Sequence, residues 1–159
     1  MIIPKDEQEV RDFDWFGVDA DGHIGHFTTA GFKYLPGSVS SSEEDLQEVT
    51  GYFDNEAPIR GAHRVDSESI AQFKGWKGEE HEARYLASFA LMADKGLYSY
   101  DIDTYVRAGI AYSRVAVPLS PLTLNELPDE VRRIVQRTIL QGVCFGRSSR
   151  IDYESTLGA

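Results

Sequence analysis

The chain has 159 residues, 42% of them hydrophobic, with a single cysteine, Cys144; that length suits one domain over residues 1–159, and one cysteine excludes an intrachain disulfide and fits a reducing cytoplasm. No apolar run approaches the ~20 residues of a membrane span, and the start Met1-Ile2-Ile3-Pro4-Lys5-Asp6-Glu7 turns acidic too early for an export signal. The net charge of −10 sits wholly in residues 1–56, which hold 13 acids against 3 bases; this field disfavours nucleic acid and anionic membrane and favours a basic partner.

Residues 1–12 read as an extended lead-in or a short frayed helix, with Lys5 and Glu9 at i,i+4 spacing. Two apolar runs then flank Asp19-Ala20-Asp21-Gly22. The pattern predicts a β-hairpin, since Asp tolerates turn geometry and Gly22 can supply a positive φ. Trp15, Phe16, Val18, Ile24 and Phe27 are its core residues. His23 and His26 fall on opposite faces of a strand, which does not suit a shared metal. Asp19 and Asp21 do not match a calcium loop, whose first carboxylate would fall at Gly17 and whose closing Glu would fall at Thr28. The run Gly31-Phe32-Lys33-Tyr34-Leu35-Pro36-Gly37 reads as an aromatic loop folded over the core as a lid.

A serine of the run 40–42, followed by Glu43, Glu44 and Asp45, predicts a helix start: the hydroxyl caps free N–H groups and the acids meet the positive dipole end. Leu46, Val49 and Phe53 give the apolar stripe. Residues 54–78 read as irregular, with one helical turn at Ile70 and Phe73. Phe73-Lys74-Gly75-Trp76-Lys77-Gly78 is too sparse in aromatics for a nucleic-acid platform. A helix is predicted over 79–95 with Gly96 as its stop. Strands follow at 97–102 and 109–117, joined by a broad turn. A last helix is predicted near 128–141, then a short strand over 142–145.

The expected fold is α+β: an antiparallel sheet with about three helices, near 42–53, 81–95 and 128–141, packed on one face. No nucleophile elbow, dinucleotide or phosphate-loop pattern occurs. With four histidines and one cysteine no metal centre and no cofactor is expected, and Cys144, between Val143 and Phe145, reads as a small buried hydrophobe.

The run Trp15-Phe16-x-Val18-Asp19-x-Asp21-Gly22-x-Ile24-x-x-Phe27-x-Thr29-x-Gly31 resembles small bacterial proteins of the toxin-immunity-associated kind. So do Gly96-Leu97-Tyr98-x-Tyr100-Asp101, Tyr112-x-Arg114-Val115-Ala116-x-Pro118, Pro121-Leu122 and Leu127-Pro128. The resemblance covers most of residues 14–130 but not 54–78. Its motifs are structural, so no functional residue carries over. It implies an immunity protein or inhibitor of a basic toxin. From charge, the expected partner contacts are Asp19, Asp21, Glu43, Glu44, Asp45, Glu48, Asp54 and Glu56, with Phe32 and Tyr34 as aromatic anchors. The alternative is a small-ligand binder or enzyme whose site would bring His26, Tyr98, Tyr100 and Asp101 into one pocket.

Overall fold

The computed structural model describes every residue except 32, 74–78 and 105–108, and of residues 72, 73 and 79 the backbone alone. The hairpin forms as the sequence predicts. β1 (Asp14–Val18) pairs antiparallel with β2 (Ile24–Thr28), placing Trp15 opposite Phe27 and Gly17 opposite Gly25. Gly22 closes the turn at φ +81°. A short helix, α1 (Lys5–Gln8), precedes the hairpin, and there Arg11 pairs with Glu7 at 2.7 Å.

Two short helical segments follow β2. α2 (Gly37–Ser40) leads into α3 (Glu43–Gly51), where the Ser42 hydroxyl accepts the Asp45 N–H at 3.2 Å as an N-cap. The helix widens into a π-helical turn, Tyr52–Glu56. The loop over 33–36 covers the core as expected, with Leu35 buried and the Tyr34 N–H donated to the Tyr153 hydroxyl at 2.9 Å. β3 (His63–Val65), α4 (Ser67–Phe73), α5 (Glu79–Asp94), β4 (Tyr98–Asp103) and β5 (Ala111–Pro118) complete the middle of the chain. α5 stops at Gly96, whose φ of +96° suits glycine. The basic aromatic run 74–78 and most of the turn between β4 and β5 lie outside the described residues.

The sheet is mixed, not purely antiparallel. Its order is β1-β2-β4-β5, with β3 and β6 (Arg150–Asp152) sharing the far edge of β5. β2 and β4 run parallel because α2, α3, α4 and α5 intervene, enough chain for a crossover. Val115 is an extra residue on β5, since Ser99 faces Ala116 while Tyr100 faces Arg114.

Alternation sorts the strands onto two faces. On one, Phe16, Val18 and Ile24 meet Val49 and Phe53 of the α3 segment, Met92 of α5, and Val131, Ile134 and Val135 of α6 (Asp129–Val135). Phe89 and Ala93 of α5 cover Val115 and Ala116. The long helices therefore share one face, as expected. On the other, Trp15, Phe27, Tyr98, Tyr100 and Tyr112 form an aromatic layer covered by Ile3, Leu35, Leu140, Phe145 and Tyr153 of irregular chain and α7 (Tyr153–Thr156). Trp15 and Phe27 stack at 4.1 Å, and Phe27 and Tyr100 at 5.0 Å.

The last helix is shorter than the 128–141 predicted. It ends at Val135 because residues 138–140 bond to the free edge of β1. The Val18 N–H reaches Thr138 O and the Leu140 N–H reaches Val18 O, both at 2.9 Å. An unpaired strand edge outcompetes another helical turn. The strand expected over 142–145 is a turn, which drives Phe145 into the aromatic layer. Gly17 and Gly25 make this approach possible. A Cβ on Gly25 would sit 2.7 Å from Phe145 Cζ, and one on Gly17 would sit 2.6 Å from Leu140 Cδ1.

Candidate functional site

α3 and its π-helical turn form a ridge with a groove on each side. One cleft, about 300 Å³, separates the ridge from the start of β1 and is lined by Arg11, Asp12, Phe13, Asp14, Glu43 and Asp54, among others. The other, about 450 Å³, separates the ridge from α6 and is lined by Glu48, Tyr52, Glu56 and Glu130, among others. Gln47 and Gly51 face both. The ridge is held from beneath. Buried Lys95 donates its Nζ to the carbonyl oxygens of Phe53 and Asp54, groups that the π-turn leaves without regular helical partners.

The expected contact residues divide sharply. Asp19 is buried and fully committed. Its Oδ1 accepts the N–H groups of Asp21 and His23, each at 2.9 Å, and its Oδ2 accepts the Phe145 N–H at 2.8 Å. It ties the hairpin turn to the 145 loop and presents nothing to a partner. Asp21 is exposed, and its Oδ2 accepts the Cys144 thiol at 2.9 Å. That contact raises the thiol pKa, so Cys144 is a half-buried hydrogen-bonded group and not the buried hydrophobe expected. Asp19, Asp21 and Cys144 bring their ligating atoms within 4.8 Å of one another, a grouping the turn itself accounts for.

At the α3 N-terminus the acids also have local partners. Glu43 pairs with Arg11 at 3.1 Å, Glu44 with the Met1 ammonium, and Asp45 with Arg137 and, at 3.8 Å, Arg133. Tyr34 donates its hydroxyl to Glu9, which raises its pKa. Phe32 lies outside the described residues. Glu48, Asp54 and Glu56 remain exposed, and none has an ion pair among the described residues.

Asp12, Asp14 and Glu130 were not among the residues picked by charge alone. Asp12 and Asp14 carry a legible signal: two residues apart, they share the strand face of Phe16 and Val18, the face the helices cover. Glu130 joins through the fold only. Burial, and after it the neighbouring Asp14 carboxylate, pushes the Asp12 carboxyl above the usual carboxylate range.

Behind Asp14 lies His26, 1% exposed. Its Nδ1 is 2.7 Å from Ser99 Oγ, and its Nε2 is 3.2 Å from Asp14 Oδ2 but without the alignment of a hydrogen bond. Hydroxyl, imidazole and carboxylate are thus in sequence. The order is that of a nucleophilic triad, but Ser99 is 0% exposed while Asp14 opens onto the cleft. Attack on a bound carbonyl needs the reverse, with the serine open and the acid sealed.

The alternative pocket does not assemble. His26 and Asp101 share the helix-covered face, where Asp101 accepts the Thr28 hydroxyl at 2.7 Å and the Tyr85 hydroxyl at 2.6 Å. Burial, with Asp101 beside it, pushes the Tyr85 pKa far up and keeps it a donor. Tyr98 and Tyr100 lie on the aromatic face, and the Tyr100 hydroxyl donates to Ser148 O at 2.6 Å. No helix of the described residues is long and apolar enough to cross a membrane. No protein-family model, curated protein or solved structure matches the chain.

Proposed function

We propose that this chain is a cytoplasmic, non-enzymatic binding protein whose ridge of α3 and π-turn docks a basic protein, as an immunity protein does with a basic toxin. One observation carries the reading. Glu48, Asp54 and Glu56 stand exposed without ion pairs among the described residues, on a ridge flanked by two clefts, one adding Asp12 and Asp14 and the other Glu130, which pairs with Arg133 at 2.7 Å. Of the acids expected at the contact, Asp19, Asp21, Glu43, Glu44 and Asp45 have local partners, and these three have no ion pair among the described residues. Charge of one sign on a protruding element raises the rate of encounter with a partner of opposite sign and makes it salt-sensitive, over a Debye length of ~8 Å at physiological ionic strength.

The test is retention of a basic protein on the immobilised chain. A protein captured from the source organism and released by moderate salt is passed over a variant carrying Glu48→Lys, Asp54→Lys and Glu56→Lys. Loss of retention is expected. Equal retention by the variant would overturn the ridge as the docking surface. A second variant, Glu44→Lys, Glu80→Lys and Glu154→Lys, makes the same +6 change in net charge away from the ridge and should retain the protein.

A further inference from the structure

We propose that the cleft between β1 and α3 is a socket for one guanidinium group, an arginine side chain of the basic partner, gripped by Asp14 and Asp12 with Asp54 as its exposed third acid. This rests on the docking reading above and names the anchor that docking uses.

The cleft is about 300 Å³. Among the described residues its acids are Asp12, Asp14, Glu43 and Asp54 and its one cation is Arg11, already held by Glu7 at 2.7 Å and Glu43 at 3.1 Å. Among the described residues, Asp12, Asp14 and Asp54 therefore face the cleft with no cation paired to them, and the His26 ring lies behind Asp14. His26 is an independent sign that the arrangement is incomplete. It is 1% exposed, and its Nε2 lies 3.2 Å from Asp14 Oδ2, at ion-pair distance but outside hydrogen-bond alignment. A buried ring nitrogen held out of alignment forgoes the hydrogen bond its burial calls for. A donor in the cleft that drew the Asp14 carboxylate into line would complete the chain from Ser99 through His26 to the ligand.

The spacing selects the kind of cation. Among the described residues, only Asp19, Asp21 and Cys144 gather three ligating atoms within 4.8 Å of one another. The cleft carboxylates do not gather three ligating atoms that closely, so they do not form an all-protein cage for a divalent ion. A guanidinium carries five N–H donors spread over a plane and can reach separated carboxylates at once. The walls suit its stem, since Phe13 and Leu46 line the cleft. The chain already shows the fit, because the Arg11 guanidinium lies over the Phe13 ring, 4.7 Å from its centroid. The cost of two neighbouring carboxylates, visible in the raised Asp12 carboxyl, is relieved by a cation between them. A basic protein docked on the ridge supplies an arginine within a polypeptide, and the guanidinium is the group shared with free arginine.

The experiment titrates ¹⁵N-labelled protein with N-acetyl-arginine amide, followed by amide shifts. The isosteric, uncharged N-acetyl-citrulline amide and free arginine run beside it. Saturable shifts confined to Asp14, Thr50, Gly51 and their neighbours are expected with the arginine amide and with free arginine, and none with the citrulline amide. Asp14→Asn should weaken binding about tenfold, as should Asp12→Asn by a smaller factor, in line with loss of a charge-assisted hydrogen bond. Arg11→Gln should tighten it. Glu56→Gln, in the other groove, should change it by less than about twofold. Shifts scattered over the acidic surface, or a response indifferent to both Asp variants, would overturn the socket. The two readings fail separately. If Asp14→Asn and Asp12→Asn leave capture of the basic protein intact while the ridge reversal abolishes it, docking stands and the socket falls.

Discussion

Two groups of acids in the first third of the chain have the same composition and opposite roles. At the hairpin tip, Asp19 faces inward and satisfies three backbone N–H groups. Along the ridge, Glu48, Asp54 and Glu56 face outward and make no ion pair among the described residues. The contrast separates what negative charge does for folding from what it leaves available to a partner. A count of charges cannot draw that line, because it depends on which backbone donors lie within reach.

The largest expected effect is at the tip. Asp19→Ala strands one buried and two part-buried donors and should cost about 2–3 kcal/mol in equilibrium urea unfolding. The triple change Glu48→Gln, Asp54→Asn and Glu56→Gln should stay within about 0.5 kcal/mol for each site. If the two variants lost stability equally, the division between structural and available acids would fail.

A second change sharpens the same contrast from the packing side. The loop that Asp19 holds seats Phe145 against Gly25, so Gly25→Ala should destabilise by about 1–3 kcal/mol through overpacking, read as a lowered midpoint at unchanged m-value. Gly37→Ala, where an added Cβ would meet nothing within 4 Å, is the control and should be close to neutral.

The smallest effect concerns Asp12. Its folded-state carboxyl is raised, so the folded protein holds that proton more tightly than the unfolded chain does. The stabilisation is full below the ordinary carboxylate range and is lost as pH rises through the raised value. Asp12→Asn should therefore be slightly more stable than the parent at neutral pH and indistinguishable from it in acid. A gain that grows as pH falls would contradict the assignment.

The parts legible from sequence were those with local causes. The Asp-Ala-Asp-Gly turn, a serine cap within 40–42, which is Ser42, and the Gly96 stop each rest on a few adjacent residues and form as the sequence predicts. What escaped depended on distant chain. The parallel pairing of β2 with β4 needs a crossover of some 70 residues. The early end of α6 follows from an edge of β1 that bonds residues 138–140. The site divides the same way. The ridge acids could be picked from charge, whereas the link from Asp14 through His26 to Ser99 joins three strands and has no local mark. Asp19 was placed at the surface because turn acids usually are; only the return of the 145 loop buries it.

The most direct measurement is the association rate of the captured basic protein with the parent chain and with the Glu48→Lys, Asp54→Lys, Glu56→Lys variant, at low and at physiological salt. If the ridge is the docking surface, the variant associates at least about tenfold more slowly at low salt and its rate loses most of its salt dependence. An unchanged rate with an unchanged salt slope would show that the free acids of the ridge do not steer the partner, and would contradict the account.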